Sequence, residues 1–256
     1  MTDSEKYQLD EKGSSRRKFL RNSGVAAGGV VVGGVLGGLI GFGGEKEQKS
    51  ETKDQQPETT PAANPNAALM FFTPNQYQTT MAATERIYPA DDNGPGAAEL
   101  DVAIYIDHQL ASPFGINAKD YMAGPFYPAE PTQQVQVKVL RKDLFLLGLK
   151  ALDKYSNETF SGNFIDLDAG QQDEVLTYFE QGEYDISGIS SNVFFNLLRV
   201  LTIEGAYADP MYAGNKDMQG WAMREFPGSR MNYNKEVTSK EFIKLEPQGL
   251  QSHMGH

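Results

Sequence analysis

The sequence predicts an all-α domain, an irregular bundle of about five helices with long loops, preceded by a signal or anchor helix and a disordered linker. Apolar residues recur at helical spacing in five stretches, and no alternating segment has a neighbour with which it could form a hairpin. There is no internal repeat. The chain of 256 residues has no Cys and a net charge of -11. These features exclude disulfides and thiolate metal sites, and the lack of a basic face argues against a nucleic-acid partner.

Residues 1–44 predict an export signal or a membrane anchor. Arg16 and Arg17 are followed by Phe19 and Leu20, and then by 23 uncharged, Gly-rich residues (22–44). This order resembles a twin-arginine export signal. The alternative is a chance basic flank on an ordinary anchor helix. Because the twin-arginine route moves folded proteins, a chain without an obvious cofactor site suggests that a partner is exported with it.

The flanking charges predict an orientation. Basic residues precede the 22–44 segment and Glu45 follows it, which places the N-terminus in the cytoplasm and the rest outside. As a helix, the segment would span about 34 Å, enough to cross a bilayer. No A-x-A cleavage site closes the segment, so both retention as an anchor and removal stay open. Residues 45–68 are polar and Pro-rich, which predicts a disordered tether.

The folded domain is predicted to cover residues 69–247. A first helix begins at Thr73, where Pro74 suits the first helical position and Gln76 completes a capping box, and it ends before Pro89. A second helix is predicted over 97–111. The segment 112–132 is rich in Pro and aromatic residues and is predicted to be irregular, covering the core edge or facing a partner.

Three more helices follow. Residues 134–139 alternate like a strand, but length favours one long helix over 133–154. Asp168 with Gln171 predicts the next helix start, and Gly182 its end. Residues 190–207 are apolar almost all round, which predicts a buried helix. Beyond residue 231 we expect one weak element near 237–245 and a flexible tail at 248–256.

Catalytic constellations are not evident in the sequence. It lacks the Rossmann, Walker, H-E-x-x-H and G-x-S-x-G patterns. His108 beside Asp107 invites a metal or catalytic reading, but a metal site needs several convergent ligands, so we interpret His108 as a surface or polar core residue. The paired acids lie at turns or helix starts, where capping explains them. We therefore predict no catalytic, cofactor-binding or metal-binding residue in this chain.

The stretch 204–228 follows the most apolar helix and contains the only Trp of the chain, Trp221. A long ordered loop on a helical scaffold is typical of a functional element. We predict that it docks a larger partner through aromatic and Met residues. Trp221 could instead fill the core of its own domain, and the sequence leaves both possibilities open. The predicted docking residues are Asp209, Pro210, Met211, Tyr212, Gly214, Asn215, Trp221, Phe226, Pro227 and Gly228.

A second hypothesis belongs to a different class. The chain could be a stand-alone exported sugar-binding protein or enzyme with a pocket under the 209–228 loop. Asp209, Asn215, Asp217 and Arg224 would then supply its polar contacts. Sugar binding by the isolated chain would discriminate this hypothesis from docking.

The loop also carries a resemblance. Asp209-Pro210-Met211-Tyr212-Ala213-Gly214-Asn215, then Gly220-Trp221, then Phe226-Pro227-Gly228, resembles the DPxYGGN…GW…FPG pattern of gluconate 2-dehydrogenase subunit 3. This chain has Ala213-Gly214 where the family has Gly-Gly. The resemblance covers roughly 71–228.

The resemblance implies a non-catalytic accessory subunit. In such complexes a large flavoprotein subunit binds FAD and oxidises a sugar or sugar acid. A cytochrome c subunit with haem c can pass the electrons toward quinone. The small subunit is helical and free of cofactors, and it assists the assembly and export of the flavoprotein. On this basis we expect a chain at the outer face of the cytoplasmic membrane or in the periplasm.

Overall fold

The computed structural model describes residues 67–127 and 137–254. The predicted signal, nearly all of the predicted tether and the start of the predicted third helix lie outside these ranges. Within them the fold is helical, as predicted, with seven α-helices and one two-stranded sheet. The elements are α1 Pro74–Ile87, α2 Val102–Ala111, α3 Arg141–Phe160, α4 Ala169–Gln181, β1 Asp185–Ile186, β2 Ile189–Ser190, α5 Ser191–Tyr207, α6 Gln219–Ala222 and α7 Asn234–Val237.

The two capping boxes form where the sequence predicts them. At α1, Thr73 accepts a hydrogen bond from the Gln76 backbone, and the Gln76 side chain accepts one from the Thr73 backbone. Asp168 and Gln171 make the same reciprocal pair at α4, and Gly182 ends that helix with φ +79°. Both starts depend only on residues three apart, which is why the sequence suffices to predict them.

Two predicted helix starts are wrong. α2 begins at Val102 rather than at residue 97, because 97–101 form a turn that ends with Asp101 at φ 56°. α3 begins at Arg141 and runs to Phe160, so the described residues 137–140 are not helical. The start of α3 is capped from a distant loop, since Asn117 Oδ1 accepts the Arg141 N–H at 2.8 Å and Gly115 O accepts the Lys142 N–H at 3.0 Å.

Asp107 and His108 are structural residues in the described fold. The buried Asp107 carboxylate on α2 accepts the backbone N–H groups of Met70, Phe71 and Phe72 at 2.6, 3.1 and 2.6 Å. His108 Nε2 lies 3.0 Å from the Ala68 carbonyl oxygen. The segment that enters the domain is therefore fixed to the middle of α2 before α1 begins.

The core is a line of aromatic rings between α3, α4 and α5. Phe145 on α3 contacts Phe72 and Phe194, and Phe194 contacts Phe179 on α4, with ring centroids 5.5 to 6.3 Å apart. Added to Gly148, a Cβ would collide with the Phe194 ring, so this glycine lets α3 and α5 approach closely. The helices α1 and α4 are also joined by a salt bridge, in which the Arg86 guanidinium donates two hydrogen bonds of 2.8 Å to the Asp173 carboxylate.

The prediction for the α5 helix is partly wrong. Phe194, Leu198 and Leu201 are fully buried, but Val200 and Ile203 are half-exposed. The helix therefore buries one broad face and turns a narrow apolar strip to the surface near its C-terminal end. The hairpin of β1 and β2 that precedes it was not predicted from the sequence, since each strand has only two residues. It turns through Ser187 and Gly188, both with positive φ, as tight hairpins prefer.

The C-terminal part also differs from prediction. The weak element expected near 237–245 is wrong, since one helical turn lies at Asn234–Val237 instead. The tail, predicted to be flexible, contacts the domain up to the end of the described residues. Leu250 N–H donates to Asp209 Oδ2 at 2.8 Å, and His253 Nε2 lies 3.0 Å from the Ser229 carbonyl oxygen.

Candidate functional site

The candidate site is the segment after α5, residues 208–228, which we call the capping loop because it folds back over the end of that helix. The last carbonyls of an α-helix have no partner within the helix. Here the loop supplies the donors. Asn215 N–H donates to Gly205 O at 2.8 Å, and the Trp221 indole Nε1–H donates to Tyr207 O at 2.7 Å. The irregular chain is thus fixed by the groups that α5 leaves unpaired.

Asn215 is the centre of the capping loop. Its side chain is fully buried, its Nδ2 donates to Ala208 O at 2.7 Å and its Oδ1 accepts the Gly220 N–H at 2.8 Å. Its backbone oxygen accepts the Met218 N–H at 2.8 Å. Every hydrogen-bonding group of this residue is used inside the protein, so it holds the loop together and is not available to a ligand.

The backbone of the capping loop is strained. Five of its non-glycine residues have positive φ: Ala213, Asn215, Asp217, Met218 and Glu225. Ala213 has φ 64° and ψ 176°, a combination that is nearly restricted to glycine. This is the position at which the chain has Ala in place of the first Gly of the Gly-Gly pair in the DPxYGGN pattern. A Cβ on Gly214 would collide with the Gly205 carbonyl oxygen, so the loop also lies very close to α5.

Asp209 fixes the entry of the loop and ties it to the C-terminal tail. Its Oδ1 accepts the Met211 N–H at 2.9 Å, and its Oδ2 accepts the Leu250 N–H at 2.8 Å. Pro210 follows it at the first position of the 3-10 turn Pro210–Tyr212. Both carboxylate oxygens therefore have structural partners.

Trp221 packs into its own domain, with 7% of its surface exposed. Its ring lies edge-on to Phe226 at 5.3 Å and against Gly228. Phe226 is 47% exposed and Tyr212 is 48% exposed. The predicted docking residues therefore divide into two groups, because Asn215, Gly214 and Trp221 build the loop while Tyr212 and Phe226 present aromatic surface from it.

Two open grooves flank Tyr207 at the end of α5. The larger, of about 550 Å³, lies between α2 and the capping loop. The smaller, of about 430 Å³, is lined by Trp221, Arg224 and Phe226. The Tyr207 hydroxyl lies 2.9 Å from the Tyr88 hydroxyl and accepts a hydrogen bond from Arg224 Nε at 3.1 Å. The residues that line the larger groove are Tyr105, Gln109, Ile203, Glu204, Tyr207, Ala208, Asp209 and Tyr212.

The larger groove contains a partly desolvated acid. Burial raises the pKa of Glu204, and the hydrogen bond from Tyr105 and the charge of Arg141 oppose that shift. Burial, together with the Glu204 charge, raises the pKa of Tyr105 to about 12. The Tyr105 hydroxyl lies 3.5 Å from Glu204 Oε2. The groove thus combines three tyrosine rings, two aliphatic residues, a glutamine and two carboxylates.

The four polar contacts of the stand-alone hypothesis do not meet in one cavity. Asp209 lines the larger groove and Arg224 the smaller, while Asn215 is buried and saturated. Sequence reasoning missed Tyr105, Gln109 and Tyr207 as groove residues. One sequence signal could have revealed this groove. Val200, Ile203 and Tyr207 recur at helical spacing on α5 but outside the face that carries Phe194, Leu198 and Leu201.

The remaining functional predictions concern other parts of the chain. Arg16, Arg17, Phe19 and Leu20 lie outside the described residues, so the export signal stays a prediction. Over 67–127 and 137–254 there is no group of three or more His, Cys, Asp or Glu residues that could hold a metal ion. In the same ranges, none of the helices has both the length and the apolar character that crossing a membrane requires.

Comparison with known proteins gives a family match. The model of the family described as gluconate 2-dehydrogenase subunit 3 matches residues 74–228, from the first residue of α1 to the last residue of the capping loop. Neither the curated proteins nor the solved structures gave a match. The match covers all five long helices and excludes residues 229–256.

Proposed function

The chain belongs to the gluconate 2-dehydrogenase subunit 3 family, and from this premise we propose that it is the non-catalytic small subunit of a membrane-associated, flavin-dependent dehydrogenase of gluconate or a related sugar. Its partner is an FAD-containing catalytic subunit, joined in some complexes by a cytochrome c subunit with haem c. The small subunit assists the folding and assembly of the catalytic subunit and its export by the twin-arginine route.

One observation carries the proposal that the capping loop is the docking element. The family match includes the whole loop, and the loop holds Tyr212 and Phe226 half-exposed on a backbone that is fixed to α5. Aromatic side chains concentrate binding energy at interfaces. A surface already ordered before binding loses little conformational entropy on association. The loop therefore has the physical properties of a preorganised interface.

The docking surface is larger than the two aromatics. Ile203 of α5, which is half-exposed, lines the larger groove together with Tyr212, and Val200 is half-exposed one turn earlier on the same helix. Pro210, Pro227 and Gly228 act through the backbone, since they set the path of the loop. In this division of roles Asp209, Asn215 and Trp221 shape the surface, and Met211, Tyr212 and Phe226 contact the partner.

The location follows from the sequence prediction. Residues 16–20 direct export, and residues 22–44, if retained, anchor the chain with its N-terminus in the cytoplasm. The domain then lies at the outer face of the cytoplasmic membrane, or in the periplasm if the leader is removed.

The test is co-purification of a flavin. The full chain is isolated from native membranes in mild detergent, and the absorbance spectrum of the material that accompanies it is recorded. We expect a stoichiometric flavin subunit. The double variant Tyr212→Ala/Phe226→Ala is expected to lose it, whereas Tyr121→Ala, which changes a side chain 78% exposed outside the loop, retains it. Fluorescence of the buried Trp221 shows that each variant has folded.

Other results would contradict the proposal. A colourless monomer that binds or oxidises a sugar would support the stand-alone hypothesis instead. Flavin that remains in full stoichiometry with the double variant would remove the capping loop from the interface while leaving the accessory role in place.

A further inference from the structure

Residues 229–247, which follow the part of the chain that the family model matches, form a closed loop on the domain surface. We call this loop the excursion. Its two ends meet at a parallel bridge between Gly228 and Gln248. Ser229 N–H donates to Gln248 O at 2.7 Å, and Gln248 N–H donates to Pro227 O at 3.2 Å. The Arg230 side chain spans the base by donating to the carbonyls of Pro227 and Glu246. The chain therefore leaves the domain and returns to the same point, as in an Ω-loop.

The excursion turns its apolar residues outward. Phe242 is 93% exposed, Val237 is 79% exposed and Met231 is 78% exposed. Tyr233 and Ile243 are less exposed, but both retain more than a third of their surface. Leaving large apolar side chains in water is unfavourable relative to burial. Such a concentration within thirteen residues marks an interaction surface.

The excursion differs from the rest of the domain in charge. Residues 69–228 carry a net charge of -12, whereas residues 229–256 carry +1. The basic side chains are Arg230, Lys235, Lys240 and Lys244, and the acidic ones are Glu236, Glu241 and Glu246. Lys244 Nζ contacts Glu225 Oε1 of the capping loop at 2.9 Å. A negatively charged surface would repel the acidic domain but would not repel the excursion. The excursion is therefore expected to face that surface.

We propose that the excursion is a peripheral membrane contact that lays Phe242, Val237 and Met231 into the interface of an anionic lipid surface. Apolar side chains interleaved with lysines are typical of segments that lie in the headgroup region. The predicted tether of 24 residues keeps the domain close, because a flexible chain of that length has a mean end-to-end distance of roughly 27 Å. The proposal rests on the part of the proposed function that places the domain at a membrane face.

A lipid surface fits these observations better than a protein partner. Protein interfaces concentrate their energy in side chains that enter well-packed pockets. Phe242, at 93% exposure, has almost no protein around it and offers no pocket wall. A lipid interface needs no complementary shape, and a second weak attachment beside a membrane anchor gains from the high effective concentration of the tethered domain.

The test places a fluorophore in the excursion. Phe242→Trp is made in the full chain, which is reconstituted into vesicles of anionic phospholipid with its own N-terminal segment, and acyl chains brominated near the headgroup serve as quenchers. Tyr121→Trp, at a position 78% exposed outside the excursion, is the matched control, and the wild-type emission gives the contribution of the buried Trp221. We expect a blue shift and quenching at position 242 and neither at position 121.

The charge dependence is tested with the same variant. Replacing the anionic vesicles by zwitterionic ones is expected to reduce the quenching at position 242. The double change Lys235→Gln/Lys240→Gln in anionic vesicles should have the same effect. So should 1 M salt, because the screening length then falls to about 3 Å. Equal quenching at both positions, or none at 242, would overturn the proposal. A third result would overturn the proposal in favour of a protein contact. In that case position 242 is protected from a water-soluble quencher in native membranes that retain the complex, but it is not quenched by the brominated lipids. None of these vesicle results depends on whether a flavoprotein co-purifies, so the two proposals fail separately.

Discussion

The capping loop (208–228) and the excursion (229–247) are adjacent, similar in length and irregular, yet they are built in opposite ways. The capping loop turns its key residues inward, with Asn215 and Trp221 bonded to the end of α5. The excursion turns its largest residues outward and is bonded mainly at its base. The difference shows how an irregular segment is held in place where a neighbouring helix offers unpaired backbone groups.

The end of α5 makes this difference. The helix leaves carbonyl groups at Gly205 and Tyr207, and the Ala208 carbonyl follows them, and all three accept donors from the capping loop. No comparable row of acceptors faces the excursion among the hydrogen bonds of the described residues. Substitutions in the two segments are therefore expected to differ sharply in their effect on the free energy of unfolding.

The largest effect is expected for Asn215→Ala. The change leaves the Gly220 N–H and the Ala208 carbonyl buried without their partners, and each unsatisfied buried group costs about 1–3 kcal/mol. We expect the free energy of unfolding to fall by about 2–5 kcal/mol, measured by urea denaturation of the full chain in mild detergent with Trp221 fluorescence. The control is Asn232→Ala in the excursion, expected to stay within about 0.5 kcal/mol of wild type. Equal losses in both variants would contradict the comparison.

A smaller loss is expected for Trp221→Phe. The variant keeps an aromatic ring against Phe226 but removes the donor to Tyr207 O and part of the buried surface. We expect a loss of about 2 kcal/mol, followed by far-ultraviolet circular dichroism because the only Trp is gone. Tyr233→Phe in the excursion is the matched aromatic change and should have no measurable effect. A neutral result at position 221 would mean that another donor can cap α5.

Ala213→Gly should stabilise the protein. The residue has φ 64° and ψ 176°, where a Cβ is strained by about 1–3 kcal/mol, and glycine recovers this at an entropic cost of about 0.5–1 kcal/mol. The expected net gain is about 1 kcal/mol in the same denaturation experiment. Ala222→Gly in α6 is the control and should have the opposite sign, since its backbone is helical. A loss at position 213 would show that the side chain contributes more by packing than it costs by strain.

The smallest effect on stability is expected for Phe242→Ser and Val237→Ser. Both side chains are almost fully exposed, so the free energy of unfolding should stay within about 0.5 kcal/mol of wild type. Phe226→Ser in the capping loop gives the contrast, because its ring contacts Trp221 edge-on and its loss should cost about 1 kcal/mol. Marked destabilisation by Phe242→Ser would show that the excursion packs on the domain in solution.

The sequence is sufficient where structure depends on near neighbours. The capping boxes at Thr73 and Asp168 were predicted with their partners because each involves residues three apart. The starts of α2 and α3 were missed because distant groups set them, such as Asn117 Oδ1 on the Arg141 N–H. Residue type alone does not reveal which loop will reach a helix terminus.

The same limit applies to the candidate site. The sequence identified the 204–228 stretch and its residues, and the family match to 74–228 confirms the resemblance on which the functional prediction depends. It could not separate Trp221, which caps a helix, from Phe226, which faces solvent, because both are aromatic residues in one loop. The sequence presents Asn215 as a docking residue or a sugar contact, and its structural role is not visible there because its four partners are determined by the tertiary fold.

The hydrogen bonds of Asp107 have a mechanical consequence. If the chain is anchored at its N-terminus, any pull between membrane and domain enters the fold at residues 70–72. There, three successive N–H groups share one carboxylate on α2. A force along the chain would be divided among these bonds and passed to the centre of the bundle before it reached the first turn of α1. The domain would therefore resist being peeled open from its N-terminal end.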